Sequence, residues 1–146
     1  MIKALQGKEI AEKIADQFPQ AVIESEKDIV LVKSEFVADV CRFLKQTPGL
    51  DFNFLVDLAG VDYLDYIEVV YHLLSLEHSH SIVLKTRCYD REKPVVPSVT
   101  PIWQGADFQE REIFDLLGVR FEGHYNMRRI FLWEGFEGYP LRRDFL

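Results

Sequence analysis

Apolar side chains recur at Ile10, Ile14 and Phe18 with charged residues between them, which predicts an amphipathic helix over Gly7–Phe18, stopped by Pro19. Two short apolar runs, Val22–Ser25 and Ile29–Lys33, flank Glu26-Lys27-Asp28 and read as strands joined by a hairpin turn. Ser34 and Glu35 open a second helix that carries Phe36, Val37, Val40, Cys41 and Leu44 and ends at Pro48-Gly49. Three strand patterns follow, Phe52–Leu58, Tyr66–Leu76 and Ser81–Tyr89, the last two joined by a turn at Glu77-His78-Ser79-His80. The order α-β-β-α-β-β-β predicts an α/β fold of the α+β type: a two-layer sandwich with helices on one face of a mixed sheet.

After Asp90 the pattern changes. Pro94, Pro97 and Pro101 space an uncharged linker that suits neither helix nor central strand. A third helix is predicted next, with Asp107 as N-cap and Glu110 at capping-box spacing. Ile113, Leu116 and Leu117 share one face beside Phe114, and Gly118 stands where a left-handed C-cap belongs. Arg111 lies four residues from both Asp107 and Asp115, a spacing that predicts ion pairs along the helix. Beyond it, glycines 118, 123, 135 and 138 alternate with Phe121, Tyr125, Phe131, Trp133, Phe136 and Tyr139. Chain of that composition needs another surface to lie on, its own domain or a partner. Residues 1–93 are therefore expected to form the two-layer unit. Residues 94–146 are expected to be linker, helix and a partner-docking tail within one structural domain.

At 146 residues and 48% hydrophobic, the chain is long enough for one cored domain. Its formal charge of −7 argues against a basic nucleic-acid-binding face. The charge is uneven: four Arg against three Glu and one Asp cancel over residues 121–146, so residues 1–120 hold all of it. Arg suits fixed, bidentate pairing, so Arg128-Arg129 and Arg142-Arg143 read as docking groups. Cys41 and Cys88 are too few for an iron–sulfur cluster or a zinc ribbon. No run resembles a signal peptide, and Val69–Leu76 and Pro94–Ala106 are too short or too proline-rich to span a bilayer. A reducing compartment is expected, with any membrane association made through a partner.

Candidate catalytic chemistry is sparse. His78 and His80 could share one side of a strand, but only Glu77 lies near them in sequence, so a metal is not expected there. Glu110 and Glu112 point to different helix faces, poor placement for an acid–base pair. His124 is four residues from Arg128, which disfavours it as a base. The chain has no phosphate-binding glycine loop and no hydrolase motif.

Glu110-Arg111-Glu112, Asp115, Leu116-Leu117, His124, Arg128 and Ile130-Phe131 together closely resemble the signature of the thirty-kilodalton-type subunit of respiratory complex I, the NADH-quinone oxidoreductase. Ser98-Val99-Thr100-Pro101-Ile102-Trp103 before it and Gly138-Tyr139-Pro140-Leu141-Arg142-Arg143-Asp144-Phe145 after it are similar to that family's flanking segments. Leu58-Ala59-Gly60-Val61-Asp62-Tyr63 resembles another recurrent segment.

The resemblance implies a non-catalytic structural subunit in the hydrophilic arm of a proton-pumping NADH:quinone oxidoreductase. Members of that family hold no cofactor and no metal. They dock the quinone-site large subunit and the iron–sulfur subunits, peripherally on the cytoplasmic side of the inner membrane. The expected interface or signature residues are Glu110, Arg111, Glu112, Asp115, His124, Arg128, Arg129, Arg142 and Arg143. An equivalent subunit of a membrane-bound hydrogenase or another donor:quinone complex fits the same signature. A small metal-dependent enzyme using His78, His80, Glu110 and His124 is the remote alternative.

Overall fold

The structure, a computed structural model, describes residues 1–145, and Leu146 lies outside the described residues. The first helix, α1 (Gly7–Gln17), follows a two-residue strand β1 (Lys3–Ala4). Strands β2 (Val22–Glu26) and β3 (Ile29–Val32) form the expected hairpin around Lys27 and Asp28. A 3-10 turn, Ser34–Phe36, leads into α2 (Val37–Gln46). Three nine-residue strands follow, β4 (Phe54–Asp62), β5 (Ile67–Ser75) and β6 (His80–Cys88). A short strand β7 (Val95–Pro97), the helix α3 (Ala106–Leu117) and β8 (Arg120–Glu122) complete the regular elements.

The main sheet runs β2-β3-β6-β5-β4, and β1 pairs with β6 as well. It is mixed: β3 and β1 lie parallel to β6, while β5 is antiparallel to both β4 and β6. The two-layer α/β expectation therefore stands. Alternation along β5 makes the layers. Ile67, Val69, Tyr71 and Leu73 join Ile10 and Ile14 of α1, Val40 and Leu44 of α2, and Ile113 and Leu117 of α3 in one core.

Glu68 belongs to the opposite face, where its 2%-exposed side chain lies between Lys85 at 3.2 Å and Arg87 at 3.0 Å. Burying that carboxylate is tolerable because both cations come from the neighbouring strand at matching register.

Several boundaries differ from expectation. Strand β4 runs on to Asp62, past the predicted end at Leu58. Its Gly60 lets α3 approach, since a Cβ there would lie 2.6 Å from Leu117 Cδ1. The proline linker also forms a strand, β7, parallel to β8, and its Val96, Val99, Ile102 and Trp103 enter the core. Pro94 precedes this short strand and Pro97 ends it, so neither interrupts a longer one.

Candidate functional site

Helix α3 is the hub of the candidate site, and each of its charges has a different partner. The helix starts two residues earlier than expected, with Gly105 at the N-cap position and no side-chain cap. Asp107 is thus corrected from cap to first-turn acid, where it still complements the helix dipole. Its Oδ2 accepts the Tyr125 hydroxyl, while His124 Nε2 lies 2.9 Å from its Oδ1 and hydrogen-bonds its main-chain carbonyl at 3.3 Å. His124 Nδ1 accepts the Asn126 N–H at 2.9 Å, so the ring's proton sits on Nε2, facing Asp107 and not Arg128. At the other end Gly118, with φ of 81°, makes the expected left-handed C-cap, its N–H bonded to the Phe114 carbonyl.

The capping-box role expected for Glu110 is also corrected. Its side chain is wholly buried beneath the proline segment, accepting Ser98 Oγ–H at 2.7 Å and the Val99 N–H at 2.8 Å. Those two bonds stabilise the carboxylate, but desolvation is larger and pushes the group up to about 7. Cys41 and Tyr71 share this interior; both are raised chiefly by burial, and the Glu110 charge adds to each. Glu112, two residues on, is exposed, so the two glutamates do face apart as expected.

Arg111 forms no ion pair with Asp107 or Asp115 among the described residues. Instead its Nε donates to the Arg128 carbonyl at 3.0 Å and its Nη2 to that of Arg129 at 3.3 Å. Asp115 is fully buried and turned to the same segment. Its Oδ2 accepts the N–H groups of Ile130, Phe131 and Leu132 at 3.1, 2.7 and 3.1 Å. Its Oδ1 lies 3.4 Å from Arg129 Nε. One helix thus presents a cation to two carbonyls and an anion to three amides of chain 128–132. That pairing fixes backbone having no helix or sheet ladder of its own.

Further along, Arg129 donates to the carbonyls of Phe136 (3.0 Å) and Gly138 (2.8 Å). Arg142 donates to those of Leu117 (2.7 Å) and Arg91 (2.9 Å). The Arg143 N–H reaches Asp62 Oδ2 at 2.8 Å. Asp62 is held in turn by a bidentate pair with Arg91 at 2.6 and 2.9 Å, which keeps its carboxyl well below the usual carboxylate range.

Asp62 and Arg91 are not among the residues that the sequence singles out for the site; the recurrent segment ending at Asp62-Tyr63 is their one sequence signal. Arg128 is different from its neighbours: it is exposed, and among the described residues its guanidinium pairs with the exposed Glu134, at 3.4 Å. The outer surface of this fixed tail carries Tyr125 (75% exposed), Trp133 (69%), Phe131 and Leu141. Such a surface can bind, and the charges beneath it position backbone.

Comparison with known proteins agrees with the signature. A NADH-quinone oxidoreductase subunit from Rhizobium etli is 47% identical over 121 residues, covering 81% of this chain and 64% of that protein. The chain therefore spans a little under two thirds of that relative's length. The corresponding NADH-quinone oxidoreductase subunit from a Roseiflexus species is 43% identical over 148 residues, covering 97% of this chain and 84% of its own. Among solved structures, a chain of the membrane-bound sulfane sulfur reductase, an archaeal respiratory membrane complex, superposes with a TM-score of 0.74. It is 29% identical, and the match covers 94% of this chain and 84% of that one. Among the described residues no helix is long and apolar enough to cross a membrane. With its signature helix, its anchored tail and a family pattern matching residues 30–146, the chain belongs to the respiratory-chain NADH dehydrogenase 30 Kd subunit family.

Proposed function

We propose that this chain is a non-catalytic structural subunit in the hydrophilic arm of a proton-pumping NADH:quinone oxidoreductase. It docks the large quinone-site subunit and the iron–sulfur subunits, on the cytoplasmic side of the inner membrane, and supplies no cofactor itself. The observation that carries this reading is the contrast across the tail. Its backbone is tied down from within by Arg111, Asp115, Arg129 and Arg142, while Tyr125, Phe131, Trp133 and Leu141 stay exposed beside Arg128 and Arg143. Aromatic and Arg side chains on a preorganised backbone are the chemistry of interface hot spots. Glu112, on the exposed side of α3, extends the polar rim of that surface.

The test is recovery of the assembled complex from membranes of the native host on a tagged copy of this chain. The double substitution Trp133→Ala, Arg143→Ala should reduce recovery at least about tenfold, as losing one hot-spot side chain does. The melting temperature of the free variant should stay within about 2 °C of wild type, as expected for exposed sites. Full recovery of the complex on the variant would remove the tail from the interface. A second reading, the same role in a related membrane complex with another electron donor, is favoured by the likeness to the sulfane sulfur reductase chain. Loss of NADH-driven quinone reduction in membranes lacking this chain supports the first reading; retention supports the second.

A further inference from the structure

The loop from α2 into β4 meets the turn between β5 and β6 at one end of the sheet. There a carboxylate oxygen of Asp51, one of Glu77 and a ring nitrogen of His78 lie within 4.8 Å of one another. Sequence spacing alone gives His78 only one nearby carboxylate; the fold supplies the second from residue 51. His78 Nε2 is 2.7 Å from Asp51 Oδ2, which also accepts the Gly49 N–H at 3.0 Å.

The imidazole is held in orientation as well. It stacks on His80 with ring centroids 5.4 Å apart, and His80 is itself fixed by a 2.8 Å contact to the Leu50 carbonyl and by packing on Phe52. His80 thus acts behind the cluster and is not a ligand in it. Two carboxylate oxygens and one imidazole nitrogen suit a borderline divalent ion, whose ligands stand about 2.0–2.2 Å from the metal. A coordination shell of that radius is about 4.2 Å across. To close it, the His78 ring and the Asp51 carboxylate give up their direct 2.7 Å hydrogen bond and part to admit the ion, and the exposed Glu77 side chain closes in from the other side. The two carboxylate charges balance the ion, and water fills the open positions.

We propose that Asp51, Glu77 and His78 bind a divalent transition-metal ion of the Zn2+ type, clasping the α2–β4 loop to the β5–β6 turn. The clasp lies on other elements than the tail, so it is independent of the docking role. The experiment is calorimetric titration of ZnCl2 into the metal-stripped full chain, with melting curves alongside. One saturable site is expected, and an excess of about a hundredfold over Kd should raise the melting temperature by about 5 °C. Asp51→Asn, which keeps the shape of the side chain, and His78→Ala should each weaken binding more than tenfold. That exceeds the low end of the loss typical for groups one step removed from a metal. His72→Ala, an exposed histidine in the middle of β5, should bind as wild type. Absence of saturable Zn2+ binding by the wild-type chain overturns the proposal, and so does wild-type affinity in Asp51→Asn.

Discussion

The two halves of this molecule are held by opposite means. In the sheet and its first two helices, order comes from apolar burial: Ile14, Val40, Leu44, Phe52, Tyr71 and Leu84 are sealed from solvent. From Phe121 onward, among the described residues, only Phe121 belongs to that core, with Met127 packed at its edge. There, carboxylates and guanidinium groups bond main-chain amides and carbonyls. Apolar burial is non-directional and scales with area, so it consumes hydrophobic side chains. Charge-to-backbone bonding fixes geometry with few side chains, and it leaves the aromatic residues of the tail free to face outward.

The largest test of this contrast is in the core. Phe52→Ala should cost about 3–5 kcal/mol, because it removes a fully buried ring that packs on His80. The whole chain should melt about 6–20 °C lower at a single transition, at the 2–4 °C per kcal/mol typical of this size. If the tail loosened while the sheet kept its hydrogen-exchange protection, the division between the halves would be wrong.

Asp115→Ala is the matching test in the tail. It strands Arg129 beside a buried helix face and frees three amides, at a local cost of about 3 kcal/mol. Unlike the core substitution, it should expose residues 128–145 to protease while amides of β5 and β6 keep their protection. A global loss of protection with no local cleavage would show that the tail and the core form one cooperative unit.

The same division explains what can be read from the sequence. Periodicity yields α1, α2, the β2–β3 hairpin and the β5–β6 turn, because each depends on neighbours in sequence. It misses β1, β7 and β8, two or three residues apiece, because their partners are distant strands. It stops β4 at Leu58 because Ala59-Gly60 breaks the alternation, yet Gly60 is there for the close approach of α3.

The charges at the candidate site are misread by local rules for the same reason. Arg111 has acids at both helical neighbours, and helix rules pair it with them. In the fold its bonds go to carbonyls 17 and 18 residues away. Glu110 has the spacing of a cap, but the strand that buries it comes from the proline segment. The identity of the signature residues is legible; their directions are not, since irregular backbone returning to a helix leaves no period.

Glu110 gives a pH test that separates the two halves. Its folded value, about 7, is above that of an unfolded carboxyl, so the native state holds the extra proton between about pH 4.5 and 7. A native state that binds more protons loses stability as pH rises. This contribution should therefore be fully present below pH 4.5, fall by about 3 kcal/mol up to pH 7 and be flat above it. Asp62 works in the opposite sense, since its lowered value makes its stabilisation fade only as pH drops below the usual carboxylate range. Glu110→Gln should abolish the slope between pH 5 and 7. The amide oxygen can accept the Val99 N–H, and the amide nitrogen can donate to Ser98 Oγ, which then donates to Thr100 Oγ1 at 2.8 Å. Melting curves of both proteins across that range decide it; an unchanged slope in the variant would assign the effect elsewhere.

The finest test lies between two adjacent arginines. Arg129 is mostly buried, bonds two carbonyls and approaches Asp115, whereas Arg128 projects into solvent and pairs with the exposed Glu134. Arg129→Ala should make the tail protease-sensitive as Asp115→Ala does, because it cuts the same net from the other end. Arg128→Ala removes an exposed pair worth less than about 1 kcal/mol, so the free chain should melt within about 2–4 °C of wild type with its tail intact. Its loss should appear in assembly, where a guanidinium moved out of solvent against a partner carboxylate matters far more than it does in water. Recovery of the complex should fall with Arg128→Ala while folding holds. If Arg128→Ala instead loosens the tail as strongly as Arg129→Ala, then both arginines serve the fold, and the outward face of this segment carries no separate binding role through Arg128.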